Sequence, residues 1–177
     1  MKCVLDEFIV RSPVGLWDVQ FCEKGLHWVK LLKNQNDDID TDIEVEVVSG
    51  NCYKSSFVTW LSLYFHDINS LSSLPIPKVC TSLFQGCGFR EKCWSEIYQN
   101  LPAGSTATYG EIASRSGSKR ANQAVGTAMK MNPVSLVIPC HRVVKSGGSV
   151  GHYSGGTRDY LKVWLLNHES RINQGKN

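Results

Sequence analysis

The sequence predicts an α+β protein: a small strand-and-helix N-terminal domain, then a mostly helical C-terminal domain with a helix-turn-helix. Three observations predict it. Apolar residues alternate in short runs through the first third, as half-buried strands require. Further on they recur at helical spacing in several short stretches. Between the two lies Ser70-Leu71-Ser72-Ser73-Leu74-Pro75-Ile76-Pro77, a linker by composition. The domains are therefore expected to span 1–78 and 79–177.

Taken in order, alternation runs through Cys3-Val4-Leu5 to Val10, then Leu16 to Phe21, then Leu26 to Leu32. Arg11-Ser12-Pro13-Val14-Gly15 and Glu23-Lys24-Gly25 separate these runs as hairpin turns would. Asn34 to Asp42 is acidic and polar, hence a loop. Phe57, Trp60, Leu61, Tyr64, Phe65 and Ile68 share one helical face, so 55–68 is an amphipathic helix. Past the linker, helices are expected over 89–101, closed by Pro102, over 109–116, stopped at Gly117, and over 121–131, ended by Asn132-Pro133. A last one is expected from about Thr157 to His168, with Leu161, Trp164 and Leu165 on one face.

The bulk numbers narrow the function. With 42% hydrophobic and 20% charged residues, the chain has an ordinary globular composition. No stretch approaches the roughly 20 apolar residues a membrane span needs, and the acidic start Asp6-Glu7 does not fit a secretory signal. A reducing compartment is expected, cytosol or nucleus, with the nucleus preferred. There, the seven cysteines are candidates for metal binding, catalysis or burial rather than disulfides. The net charge of +3 is unevenly spread: residues 1–88 hold 7 Lys or Arg and 11 Asp or Glu, residues 89–177 hold 12 and 5. A polyanion would meet the basic second half. The pair of short helices around Gly117, followed by Lys119-Arg120, fits a helix-turn-helix but also any αα-hairpin. Its second helix is thin, with Ala121, Ala124, Gly126, Thr127 and Ala128. Such a helix either packs tightly inside the protein or lays its backbone against another surface.

Pro139-Cys140-His141-Arg142 follows the apolar run Val134–Ile138, so a thiol emerges from a buried segment. Cysteine reacts as its thiolate, and a nearby imidazole or cation favours that form. His141 and Arg142 are candidates by adjacency. Neighbours in an extended segment point to opposite sides, which leaves a bridging water as the route from His141 to the sulfur.

The stretch from Asn132 to Val144, including Ile138-Pro139-Cys140-His141-Arg142-Val143, resembles the active-site signature of the 6-O-alkylguanine-DNA alkyltransferases, or methylated-DNA–protein-cysteine methyltransferases. The resemblance continues through Gly151-His152-Tyr153-Ser154-Gly155-Gly156 and Trp164-Leu165-Leu166-Asn167-His168-Glu169. Upstream, Thr108-Tyr109-Gly110-Glu111-Ile112-Ala113 and Ala124-Val125-Gly126-Thr127-Ala128-Met129 are similar to the family's helix-turn-helix. It implies direct reversal of DNA damage, with Cys140 taking the alkyl group of 6-O-alkylguanine, and of 4-O-alkylthymine, once per molecule. Glu169 would orient His141, His141 would draw the Cys140 proton through a water, and Asn132 would brace the segment. Tyr109 would help turn the nucleotide out and protonate the departing guanine. Tyr153 and Ser154 would line the pocket and the backbones of Cys140 and Val143 would read the guanine edge, while Ser118, Ser146 and Arg90 would touch the DNA backbone. The implied partner is double-stranded DNA, entered from the minor groove by a monomer with base flipping; no membrane is expected.

Two departures from the family pattern stand out. Gln123 occupies the position of an arginine that fills the gap left by the flipped base, so weaker DNA binding or slower flipping is expected. The stretch between Gly156 and Trp164 is about two residues longer, which bears on the register of Glu169.

Cys3, Cys22 and His27 sit near the ends of the first strands and offer soft ligands suited to zinc, though two core cysteines and a surface histidine would look the same. The resemblance implies a structural zinc at these spacings. Matching Phe84-Gln85 and Phe89 to the family makes Cys80 the fourth ligand. No cofactor is expected for the chemistry. Cys52, Cys87 and Cys93 are given no role.

Overall fold

The computed structural model describes residues 3–32, 39–50, 56–86, 88–153 and 156–172. The chain divides into two compact units, one of residues 1–81 with 133–135, the other of 82–132 with 136–177.

In the first unit, strands β1 (Asp6–Ser12), β2 (Gly15–Cys22), β3 (Gly25–Leu31) and β4 (Glu46–Gly50) form an antiparallel sheet in the order β3-β2-β1-β4. The alternation expected from sequence is present: Phe8, Val10, Trp17, Val19 and Val29 point into the core. Helix α1 (Ser56–His66) packs against β1, burying Phe57, Trp60, Leu61, Tyr64 and Phe65. The serine-rich stretch read as a linker begins as 3-10 helix, Ile68–Ser73, with Ile68 and Leu71 buried. Two apolar anchors outweigh the polar composition.

Two parallel bridges flank β3. Leu26 pairs with Val79, and Val29 pairs with Val134. Gly25 makes the first approach feasible: at φ +133°, a Cβ there would lie 2.5 Å from the Lys78 carbonyl oxygen. Any side chain would push residues 78–80 away.

The second unit holds α2 (Phe89–Asn100), β5 (Ala107–Thr108), α3 (Tyr109–Arg115), α4 (Asn122–Lys130), β6 (Val143–Val144) and α5 (Asp159–Ser170). Thr108 caps α3 in a reciprocal box with Glu111, which explains why the helix starts at Tyr109. The α3–α4 turn passes through Gly117 at φ +94°. Helix α2 packs on both, and the Trp94 indole donates to the Ala128 carbonyl at 2.8 Å. Strands β5 and β6 pair in parallel, Ala107 with Val143 and Thr108 with Val144. That pairing holds the start of α3 beside the segment that follows Cys140. Helix α5 starts two residues later than expected and runs through Glu169.

Candidate functional site

In the second unit, the chain reaches Cys140 through a strained turn. Leu136 is buried at φ +73°, a conformation that costs an L-residue roughly 1–2 kcal/mol. Cys140–Arg142 then form one turn of 3-10 helix, not the extended segment expected from sequence. Successive side chains therefore diverge by about a third of a turn. The thiol is 6% exposed. Asn132 lies beneath it: its amide donates to the Ile138 carbonyl at 2.7 Å and to Cys140 Sγ at 3.1 Å. A donor aimed at sulfur favours the thiolate.

His141 is fully buried, and its Nε2 lies 2.7 Å from Glu169 Oε1. The longer stretch expected before Trp164 is compatible with this contact. Burial holds the imidazole below its ordinary pKa, with Glu169 opposing, so the ring is a neutral base near pH 7. Its Nδ1 is buried with no protein hydrogen-bond partner among the described residues. Burial also opposes ionisation of Glu169, but His141 and Arg142 overcome it and hold the carboxyl far below the carboxylate range.

Arg142 faces away from the role adjacency offered it. Its Nε and Nη2 grip the two Glu169 oxygens, each at 2.8 Å, and its Nη1 donates to the Leu101 carbonyl at 2.7 Å. The Gly104 N–H donates to the same carboxylate at 3.3 Å. The guanidinium thus fixes Glu169, and Glu169 fixes His141.

Tyr109, the first residue of α3, presents its ring to Lys162, whose Nζ is 5.8 Å from the ring centroid. Burial keeps its phenol above the ordinary pKa, with Cys140 and Asp159 adding to it, so it stays protonated. Tyr153 is buried; burial first, then the neighbouring Cys140, raises its pKa well above the usual value. Val143 is buried, and its carbonyl accepts the Lys162 ammonium at 2.7 Å. Ser154 lies outside the described residues.

Lys162 escaped the sequence reading. It is fully buried on the core face of α5 with Leu161, Leu165 and Glu169. Burial lowers its pKa to about 8, while Cys140 and Asp159 pull the other way. The signal was there: a lysine in the middle of an apolar helical stripe.

The residues read as DNA contacts lie on the surface of this unit or partly so. Gln123, Ala124 and Thr127 are exposed on α4, and a Cβ at Gly126 would meet nothing within 4 Å. Internal packing therefore does not explain the small residues Ala124, Gly126 and Thr127. Ala128 is different, being buried under Trp94. Ser146 is exposed and Ser118 partly so. Arg90 lies over the Trp94 ring, its Nη1 2.9 Å from Met131 Sδ.

In the first unit, Cys3, Cys22, His27 and Cys80 converge, their ligand atoms all within 4.8 Å of one another. Cys80 Sγ is 3.8 Å from Cys22 Sγ and 4.0 Å from Cys3 Sγ, and His27 Nε2 is 3.1 Å from Cys22 Sγ. Tetrahedral zinc with Zn–S bonds near 2.3 Å separates its sulfurs by about 3.8 Å. Three thiols and one imidazole in that geometry fit such an ion. Residues 78–80 are delivered there by their pairing with Leu26, through Leu26 N to Lys78 O and Cys80 N to Leu26 O, both 2.9 Å.

The chain is similar to known proteins along most of its length. The family described as 6-O-methylguanine DNA methyltransferase, DNA binding domain, matches residues 88–171. The methylated-DNA–protein-cysteine methyltransferase of Homo sapiens is 35% identical over 170 residues, covering 94% of this chain and 81% of its own length. The Mus musculus protein of the same name is 34% identical over 179 residues, covering 94% and 82%. Among solved structures, the Mycobacterium tuberculosis O6-methylguanine methyltransferase superposes with a TM-score of 0.72 at 25% identity, covering 96% of this chain and 94% of that one.

Proposed function

The chain belongs to the methylated-DNA–protein-cysteine methyltransferases, and from that premise we propose that Cys140 is its alkyl acceptor. The protein repairs DNA by direct reversal, passing an alkyl group from the 6-oxygen of guanine to one of its own cysteines. The observation that carries the choice of Cys140 is the buried series Arg142–Glu169–His141 beside a thiol that Asn132 donates to. It is the only described cysteine with a histidine–carboxylate pair next to it in the chain and a side-chain amide on its sulfur.

Chemically, the Cys140 proton leaves toward His141 Nδ1 through a water, and the thiolate attacks the alkyl carbon. The S–C bond forms as the C–O bond breaks, and the electron pair stays on guanine. Tyr109, kept protonated by its surroundings, supplies a proton or hydrogen bond to that anion. The Lys162 cation beside the site favours the thiolate before transfer. A thioether is a poor leaving group, so nothing regenerates the thiol. We extend the substrate to 4-O-alkylthymine, which offers the same alkyl ether to the same sulfur. Mixing increasing amounts of a duplex bearing 6-O-methylguanine with a fixed amount of protein tests this. The account expects repair to stop at one lesion per protein molecule; continued turnover would indicate a hydrolase, and binding without repair a lesion sensor.

For DNA, we read α3, the Gly117 turn and α4 as a helix-turn-helix whose second helix enters the minor groove of double-stranded DNA. The open surface around Ala124, Gly126 and Thr127 supports this, since backbone there can approach sugars closely. The lesion nucleotide is flipped toward Cys140 by a protein acting as a monomer, in the nucleus. Gln123 then stands where a cation would help most. Gln123→Arg is expected to tighten duplex binding about 5–10-fold and to steepen the salt dependence by roughly one phosphate contact. Fluorescence anisotropy at several salt concentrations checks it; an unchanged affinity would remove Gln123 from the interface.

For the metal, we propose zinc held by Cys3, Cys22, His27 and Cys80. It would serve structurally, tying residues 78–80 and the N-terminal segment to β3. Elemental analysis of purified protein is expected to give about one zinc per chain, and Cys80→Ala well under half of that. Full zinc in Cys80→Ala would exclude the fourth ligand.

A further inference from the structure

The stretch between Gly156 and Trp164 contains a carboxylate that the chemistry above does not use. Asp159 is the first residue of α5. Its Oδ1 accepts the Tyr153 backbone N–H at 2.6 Å, and its Oδ2 lies 2.9 Å from His152 Nδ1. Both contacts reach back six or seven residues in the chain. The carboxyl is held below its ordinary pKa, first by the Tyr153 N–H and then by His152, so it accepts as an anion.

The two contacts are not equal. The His152–Asp159 pair is open to solvent, with side chains 77% and 41% exposed, and such pairs contribute little. The Tyr153 amide is partly buried, and the carboxylate lies at the short end of the charge-assisted range. What it holds is the backbone of a buried residue whose phenol lies near enough to the reactive thiol for Cys140 to raise its pKa. A shift at the amide is passed down the rigid ring to the place where the alkyl group must sit.

Building on the reading that Cys140 accepts the alkyl group, we propose that Asp159 is a positioning residue that sets the pocket's width by holding Tyr153, and thereby favours small alkyl groups over bulky ones. A methyl group fills little space. Its carbon stays in line with sulfur only if the wall behind it is fixed, and misplacement by about 1 Å can cost a hundredfold. A benzyl group positions itself against the walls and tolerates a looser one.

The test compares single-turnover transfer rates on two duplexes, one with 6-O-methylguanine and one with 6-O-benzylguanine. Protein is varied so that binding and transfer separate. In Asp159→Ala, maximal methyl transfer is expected to fall about 10-fold and benzyl transfer less than about twofold, with half-saturation unchanged. Asp159→Ser suits a helix start but is one bond shorter, and should show the same change in ratio. Asp159→Asn keeps an acceptor for the Tyr153 amide and should stay within about twofold of wild type on both, as should His152→Ala. An equal fall on both substrates, an unchanged ratio in the Ala and Ser variants, or no rescue by Asn overturns the clamp. A wild-type protein that transfers neither group overturns the alkyltransferase reading instead.

Discussion

Replacing Cys140 with serine should abolish alkyl transfer, at least ~10³-fold, while leaving the fold and lesion binding in place. A thiolate is a far stronger nucleophile than an alcohol. A serine hydroxyl stays protonated near pH 7, and neutral His141 cannot make an alkoxide good enough to displace guanine. Structurally the exchange is small: the oxygen occupies nearly the same buried position and still accepts from Asn132, 3.1 Å from the native sulfur. The check is a rate measurement beside a binding measurement on the same duplex. If Cys140→Ser repaired at even a tenth of the native rate, the acceptor would be another residue.

Replacing Glu169 should have the largest effect on stability. Its carboxylate is 1% exposed and accepts from His141, twice from Arg142, and from Gly104. Glu169→Ala strands the Arg142 cation in a buried site. That loss is on the order of 3–5 kcal/mol, a large share of the roughly 5–15 kcal/mol that holds a typical protein folded. Urea unfolding at neutral pH checks it. Glu169→Gln should fold better, keep neutral acceptor contacts and lose about 10²-fold in transfer rate, since His141 is no longer oriented and supported as a base.

The same group sets an acid limit. Because the folded-state pKa of Glu169 is depressed, its contribution is fully present above the unfolded value near 4.5 and is lost as pH falls below it. The His141 pKa is depressed too, so the folded state resists its protonation and stability begins to decline below about 6.5. Both act in one direction. Native protein should therefore lose stability steadily from pH 7 toward 4, and the lower part of that decline should be flatter in Glu169→Gln.

The helices and the first three strands were legible because their apolar residues keep one period over several turns, as Phe57, Trp60, Leu61, Tyr64 and Phe65 do. Strand β4 was not: Val47 and Val48 are adjacent instead of alternating with polar residues, and the strand lies at the sheet edge and buries neither valine fully. Cys140 and His141 stood out by their signature, and Cys80 by its place in the family pattern 77 residues from Cys3. The roles of Arg142 and Lys162 depend on which way a turn of 3-10 helix and a helix face point. Adjacency assigned Arg142 to the thiol, whereas the turn directs it to Glu169. Asp159 had no signal for its hold on Tyr153, because that contact is to a backbone N–H.

The most direct measurement is mass spectrometry of the wild-type protein after incubation with a duplex carrying one 6-O-methylguanine. The account predicts one hydrogen replaced by one methyl on the peptide containing Cys140, in proportion to lesions lost and absent in Cys140→Ser. Lesions repaired with that peptide unmodified, or a methyl found on any other cysteine, would contradict it.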